Sequence, residues 1–73
     1  MLKEVDYFMN DAGRAIIYEE SRGGYTIERQ ITTIPGLYRC RIYYAADIVG
    51  ARKRFNQIKG ILSAIQTWRE KKR

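Results

Sequence analysis

The sequence DIVGARKRFNQIKGILSAIQTWREKKR, residues 47–73, is the last third of the 73-residue chain and decides its fold. Apolar side chains recur in it at alternating spacings of three and four residues: Ile48, Ala51, Phe55, Ile58, Leu62 and Ile65. This spacing follows the 3.6-residue period of an α-helix and places the six side chains on one face. We therefore predict one long amphipathic helix from Asp47 to Arg73, with Asp47 as its N-cap. The apolar face of this helix requires a covering layer.

The middle of the chain has the alternating pattern of β-strands. Polar and apolar side chains alternate most clearly from Tyr25 to Thr33, and the pattern resumes from Leu37 to Tyr44. Between these segments, Pro35 fixes φ at the first turn position and Gly36 accepts a positive φ at the second. We predict two strands joined by a tight hairpin turn.

Two further segments precede this hairpin. Arg14 to Glu20 is rich in Ile and Tyr and ends at Ser21-Arg22-Gly23-Gly24, which favours a strand followed by a turn. Residues 5–9, before the turn sequence at residues 10–13, fit a short strand, and a helix through Leu2, Val5 and Phe8 fits them nearly as well. The predicted fold class is α+β. An antiparallel β-meander of three strands, or four if residues 5–9 join it, is packed by one long C-terminal amphipathic helix.

The register of the predicted hairpin sorts the sheet into two faces. A two-residue loop would place Ile31 opposite Cys40 and Ile27 opposite Tyr44. The core face would then hold Ile16, Tyr18, Tyr25, Ile27, Ile31, Tyr38, Cys40, Ile42 and Tyr44. The outer face would hold Ile17, Glu19, Thr26, Glu28, Gln30, Thr32, Arg39, Arg41 and Tyr43. Arg29 also falls on the core face, where we expect its guanidinium to reach past the helix or to pair with a carboxylate.

Length and composition limit the classes of protein and of site. Residues 1–73 suit a single small basic domain, near the lower size at which one core folds alone. The chain has one cysteine and no histidine, which excludes an intramolecular disulfide and the usual zinc sites. We expect no metal and no cofactor. Cys40 is interpreted as a small hydrophobe of the core.

The sequence also lacks the signals of export and of catalysis. No apolar stretch has the length of a signal peptide or of a membrane span, so we expect a cytoplasmic protein without a membrane partner. No histidine is available as a general base for Ser21 or Ser63. Gly23-Gly24 lies between two strands, unlike a phosphate-binding loop, which precedes a helix. We expect no enzymatic activity.

The net charge of +6 is concentrated in the helix. Residues 1–51 carry six basic and seven acidic side chains, a balance of −1. Residues 52–73 carry eight basic side chains and one acidic side chain, a balance of +7. Such a concentration of positive charge favours an anionic partner.

Two groups of cations lie on the helix. The first, Arg52-Lys53-Arg54 with Lys59, is near the helix N-terminus, where cations gain nothing from the helix dipole and repel one another. It therefore indicates an external anion, with a plain solvated face as the alternative. The second group is Arg69, Lys71, Lys72 and Arg73. Complementing the dipole at the C-terminus and solubilising the chain end largely explain this group, and binding is the alternative.

A third group lies on the predicted outer face of the sheet and contains Arg39, Arg41 and Tyr43. Beside the polar side chains of the preceding strand, it could read base edges in the DNA major groove. The alternative is ordinary pairing between neighbouring strands.

The helix also has more apolar surface than one sheet covers. Ile61 and Trp68 lie at the far edge of the stripe and are candidates for a protein interface, such as a homodimer. Alternatively, Trp68 folds over the edge of the sheet.

In order and size, a three-strand meander followed by one long helix resembles the sheet-type DNA-binding domains at the N-terminus of some phage integrases. The likeness is one of topology, which does not assign a function. The leading hypothesis is a small non-enzymatic nucleic-acid-binding domain, with DNA favoured over RNA and affinity driven by charge. The alternative is a protein-binding accessory or inhibitor of a phage or mobile element that uses the apolar helix edge or the Tyr-rich sheet, with a homodimer through the helix as its simplest form.

Overall fold

The structure, a computed structural model, describes residues 2–34 and 37–72 of the chain. Its elements are β1 (Leu2–Asn10), β2 (Gly13–Glu20), β3 (Tyr25–Ile34), β4 (Leu37–Ala45) and α1 (Ile48–Lys71). The four strands form one antiparallel sheet in the order β1-β2-β3-β4, and α1 packs across one side of it. The predicted α+β meander is confirmed in its four-stranded form. Leu2–Asn10 is a strand, so the helical alternative for this segment is wrong.

Two of the connecting turns follow from their residue types. At the β1–β2 turn, the Asn10 side-chain oxygen accepts hydrogen bonds from the backbone N–H groups of Ala12 (2.8 Å) and Gly13 (3.2 Å). At the β2–β3 turn, Gly23 and Gly24 adopt φ values of +94° and +85°, which a residue with a Cβ adopts only with strain. The predicted Pro35-Gly36 turn lies outside the described residues.

The predicted apolar stripe of α1 forms half of the core. Ala51, Phe55, Ile58 and Leu62 are buried against β2 and β3, and Ile48 and Ile65 pack at the margin. The sheet contributes Ala15, Ile17 and Ile27, which are fully buried. Within the described residues, no helix is both long and apolar enough to cross a membrane.

Both ends of α1 are held by specific hydrogen bonds. The Asp47 carboxylate accepts from the Gly50 N–H at 2.7 Å, which confirms the predicted N-cap. Near the other end, Arg69 Nη2 donates to the Thr32 carbonyl oxygen at 2.6 Å, and Gln66 Oε1 accepts from the Asp11 N–H at 3.0 Å. These contacts tie the last two turns of the helix to β3 and to the β1–β2 turn.

The predicted register between β3 and β4 is wrong by one residue. Ile34 pairs with Leu37 as a two-residue loop requires, but Thr32 pairs with Tyr38, which leaves Thr33 as an extra residue on β3. Beyond this irregularity, Ile31 lies opposite Arg39 and Ile27 lies opposite Tyr43. Since side chains alternate between faces, the extra residue turns β4 over.

The corrected register exchanges the faces of β4. Arg39, Arg41 and Tyr43 lie on the side of the sheet that carries α1. Tyr38, Cys40, Ile42 and Tyr44 lie on the opposite side, which we call the open face. Cys40 is exposed there, so the prediction that it is a core residue is wrong. Partial desolvation and the neighbouring Glu28 carboxylate raise the pKa of its thiol.

The faces of β2 are also the reverse of the prediction. Ile17 pairs with Ile27 on the helix side, whereas Ile16 pairs with Glu28 on the open face, together with Tyr18. Ile16 and Ile17 are both apolar, so alternation gives no preference at this point of the strand. The β3 residues lie on the sides predicted for them, including Arg29 on the helix side.

Candidate nucleic-acid interface

Basic and aromatic side chains meet where β4 runs beside α1. Arg39, Arg41 and Tyr43 alternate onto the helix side of β4, and Arg54 projects from α1 toward them. The Arg54 Cζ atom lies 4.4 Å from the centre of the Tyr43 ring, and the Arg41 Cζ atom lies 5.4 Å from it. Both distances are typical of cation–π contacts. We call Arg39, Arg41, Tyr43 and Arg54 the β4 basic cluster.

This cluster has no acidic partner in the described part of the chain. Arg39, Arg41 and Arg54 are exposed, and Tyr43 is half-buried beneath two of them. Within residues 2–34 and 37–72, the one ion pair joins Arg52 to Asp6, on the other side of the helix. Three guanidinium groups therefore share one exposed surface without internal neutralisation, which gives that surface a positive potential.

Arg29 adds a fourth guanidinium to this side of the sheet. It lies directly opposite Arg41 in the β3–β4 ladder, where like charges repel. Its Nε atom is buried and has no hydrogen-bond partner among the described residues. The expected pairing with a carboxylate is not observed among the described residues, and Arg29 as a whole is half-buried. The prediction placed Arg29 on the helix side but did not recognise it as a neighbour of Arg41, because the assumed register put Arg41 on the opposite face.

The Arg52-Lys53-Arg54 triplet does not form one surface. Successive helical residues project about 100° apart, so the three side chains diverge. Arg54 faces β4, whereas Arg52 faces β1 and its Nη1 atom lies 2.7 Å from Asp6 Oδ2. This hydrogen bond holds the pKa of the Asp6 carboxyl below its usual value. Lys53 is exposed.

Lys59 lies on the β1 side with Arg52. Its Nζ atom is 5.5 Å from the centre of the Phe8 ring and 5.6 Å from that of Phe55. The ammonium group thus covers the margin of the core. Two members of the first predicted group are therefore separated from the β4 basic cluster by the width of the helix.

The C-terminal cations also have different roles. Arg69 is half-buried and its hydrogen bond to Thr32 anchors the helix, so its main contribution is structural. Lys71 is exposed, and Lys72 places its Nζ atom 5.0 Å from the centre of the Trp68 ring. Arg73 lies outside the described residues.

The two predicted interface residues lie in line with Arg54 along the helix. Arg54, Ile61 and Trp68 are spaced by seven residues, which returns a helix to nearly the same side. Ile61 is 42% exposed and Trp68 is 58% exposed. The side of α1 toward β4 thus carries one basic and two apolar positions, and Trp68 remains open to solvent.

The residues predicted to form one sheet surface for reading bases lie on opposite faces of the sheet. Thr26, Glu28, Gln30 and Thr32 lie on the open face, whereas Arg39, Arg41 and Tyr43 lie on the helix side. Among the described residues, the charged side chains of the open face are Glu4, Glu20, Glu28 and Arg14, a balance of −2. That balance disfavours contact with phosphates.

No group of three or more His, Cys, Asp or Glu side chains among the described residues is placed to hold a metal ion. Comparison with family models found no match to the chain, and comparisons with curated proteins and with solved structures found none either.

Proposed function

We propose that this chain is a non-enzymatic nucleic-acid-binding domain that grips the phosphate backbone of duplex DNA with its β4 basic cluster. The observation that carries the proposal is the convergence of Arg41 and Arg54 on Tyr43, with Arg39 on the same face of β4, without an acidic partner in the described residues. A phosphate is the ligand that several neighbouring guanidinium groups suit best, because each can donate two parallel hydrogen bonds to it.

The position of the cluster favours binding without base readout. Helix α1 packs on the same side of the sheet as Arg39 and Arg41, so β4 cannot lie flat in a groove with these side chains pointing inward. Their contacts would be to the backbone, and the exposed Lys53, Lys71 and Lys72 would add longer-range attraction. We expect little dependence on base sequence. A nucleic-acid partner and a single free cysteine also suit a cytoplasmic location.

The first test is a titration of labelled duplexes by fluorescence anisotropy across a series of salt concentrations. We expect binding at low salt that weakens as a power of the salt concentration, with similar affinity for two duplexes of unrelated sequence. Duplex RNA and single-stranded DNA serve as competitors and should be weaker. No binding at low salt, or binding indifferent to salt, would overturn the proposal.

The second test compares two variants that remove the same charge. Arg54→Gln removes a member of the β4 basic cluster, whereas Arg22→Gln removes an exposed cation in the β2–β3 turn. We expect Arg54→Gln to weaken binding and to flatten the salt dependence by roughly one contact, and Arg22→Gln to do neither. Equal effects would show that net charge alone drives binding, at no defined surface.

A second candidate function rests on the exposure of Ile61 and Trp68, two large apolar side chains on the same side of α1. Trp is a frequent anchor of protein interfaces, so this line could bind a protein partner in an accessory or inhibitory role of the kind phages and mobile elements encode. Trp68→Ala separates the two functions. We expect DNA affinity to change little in this variant, whereas a protein partner bound through the helix would be lost.

A further inference from the structure

One whole side of the sheet is uncovered and rich in large side chains. Met9 of β1 is 64% exposed on this open face, and Tyr44 of β4 is 78% exposed. Tyr38 and Ile42 of β4 are also exposed there, whereas the central strands β2 and β3 contribute a polar group, Arg14, Glu28 and Gln30, beside the buried Ile16 and Thr26. The face therefore has an apolar margin on each outer strand and a polar centre.

The polar centre is already hydrogen-bonded within the chain. Arg14 Nε donates to Gln30 Oε1 at 2.6 Å, Gln30 Nε2 donates to Glu28 Oε1, and the Cys40 thiol lies 3.8 Å from the same carboxylate. Burying polar groups that already have partners costs far less than burying orphaned ones. Among the described residues the Arg14 Nη1 and Nη2 groups and Glu28 Oε2 have no such bond, so these atoms would have to pair across an interface.

We propose that the open face is a homodimer interface in which the sheets of two copies pack face to face. The two-fold axis would run along the strands between β2 and β3, so that β1 of one copy lies over β4 of the other. The proposal concerns the opposite side of the sheet from the β4 basic cluster and does not rest on nucleic-acid binding.

The register of the strands determines which side chains meet under this symmetry. One row across the sheet is Tyr7, Ile16, Glu28 and Ile42, and the next is Met9, Arg14, Gln30 and Cys40. The rotation places Tyr7 on Ile42 and Met9 on Cys40 of the second copy, so apolar margins meet. It places Arg14 on Gln30, one row from Glu28 of the second copy, so these opposite charges approach and offset part of the repulsion between two faces that each carry a balance of −2.

The area of the face is sufficient for a stable dimer. Four strands spaced about 4.8 Å apart, each of nine residues rising about 3.3 Å, cover on the order of 550 Å² per copy, or roughly 1,100 Å² in the pair. Specific interfaces bury more than about 1,000 Å² in total. A core of eight buried residues is small, so this added burial would also stabilise the fold.

The test is the mass of the full chain by sedimentation equilibrium, from low micromolar to near-millimolar concentration. We expect the wild type to reach twice the 8.6 kDa of the chain. Ile42→Lys on β4 and Met9→Lys on β1 should each reduce it to 8.6 kDa, since both place a charge in the apolar margin. Val49→Lys is the matched control because Val49 is exposed on α1 and should leave the dimer intact.

Three outcomes would overturn the proposal. The wild type could remain a monomer throughout, in which case the open face is free or belongs to a different partner. Ile42→Lys and Val49→Lys could have the same mass. Trp68→Ala could abolish the dimer while Ile42→Lys keeps it, which would assign the interface to the helix. Circular dichroism of each variant shows that it is folded.

A measurement on the wild type avoids dependence on variants. Cys40 lies within the proposed interface, so its rate of labelling by a thiol reagent at fixed pH should fall severalfold over the concentration range in which the mass doubles. A labelling rate that does not change over that range would exclude the open face as the interface. The double variant Arg39→Gln/Arg41→Gln should remain dimeric even where it loses nucleic-acid binding. The dimer proposal and the nucleic-acid-binding proposal can therefore fail independently.

Discussion

Gly13 lies at the start of β2, where the backbone passes very close to β3. A Cβ atom at this position would overlap the carbonyl oxygen of Gln30, and the φ of Gly13 is +155°. Gly13→Ala should therefore lower the free energy of unfolding by more than about 2 kcal/mol, because backbone on both strands must shift. Urea denaturation measures this change.

Gly60 provides the matched control for this substitution. It lies in the middle of α1, and a Cβ atom there meets nothing within 4 Å. Gly60→Ala should raise the free energy of unfolding by up to about 1 kcal/mol, since Ala is the better helix former. Destabilisation by both substitutions to a similar extent would contradict this account of the two sites.

The Asp6–Arg52 pair predicts a dependence of stability on pH. The pKa of Asp6 in the folded chain lies below its usual value of 3.8, first because Arg52 donates to it and also because the Tyr7 N–H does. The unfolded chain therefore takes up the proton first on acidification. The stabilisation is present above the unfolded pKa and is lost as pH falls through the folded one.

Asp6→Asn tests this dependence. The difference in free energy of unfolding between wild type and variant should be largest near neutral pH and should shrink as pH falls below about 4. Arg52→Gln removes the same pair and should behave alike. A difference that stays constant from neutral to acidic pH would contradict the assignment. Because both side chains are nearly half exposed to solvent, the effect should be small.

At the level of elements, the sequence predicted α1 far better than the arrangement of the sheet. The spacing from Ile48 to Ile65 and the N-cap at Asp47 are local properties, and both are confirmed. The face on which each β4 side chain lies is not a local property. It depends on the extra residue Thr33, which precedes a turn that matches a two-residue loop. No property of Thr33 in the sequence distinguishes it from an ordinary strand residue.

The same limit applies to the candidate site. Arg39, Arg41 and Tyr43 share one face, as predicted, because residues two apart on a strand point to the same side. Their proximity to Arg54 depends on the register between β3 and β4. The predicted register places these residues on the side of the sheet away from the helix, so it does not predict this contact. The prediction also treated residues 52–54 as one unit. The 100° step of a helix is enough to separate them, and this could have been recognised from the sequence.

Arg69 is a cation whose contribution the structure assigns to docking of the helix. Its guanidinium donates to the Thr32 carbonyl oxygen at 2.6 Å in a half-buried position. Arg69→Gln should lower the free energy of unfolding by about 1–2 kcal/mol, a usual effect of losing a charged hydrogen bond. Lys71→Gln, which removes an exposed cation one position past Glu70, should leave it within about 0.5 kcal/mol. Equal stabilities of the two variants would contradict this role.

Charge is segregated between the two sides of the whole molecule, which extends 45 × 23 × 14 Å. The helix side carries the β4 basic cluster and the exposed lysines of α1, and the open face carries a balance of −2 in its described residues. One side therefore suits a polyanion and the other does not. In the proposed dimer the open faces meet, so the two basic clusters would point outward on opposite sides.

The proposed nucleic-acid binding at the β4 basic cluster is tested most directly by the salt dependence of duplex affinity in two double variants of equal charge. Arg39→Gln/Arg41→Gln alters the β4 basic cluster, and Lys3→Gln/Arg22→Gln removes two exposed cations outside it. Each lost phosphate contact lowers the slope of log affinity against log salt by about 0.9, so the first variant should lose about 2 and the second almost nothing. Equal slopes in the two variants would contradict the assignment of binding to the β4 basic cluster.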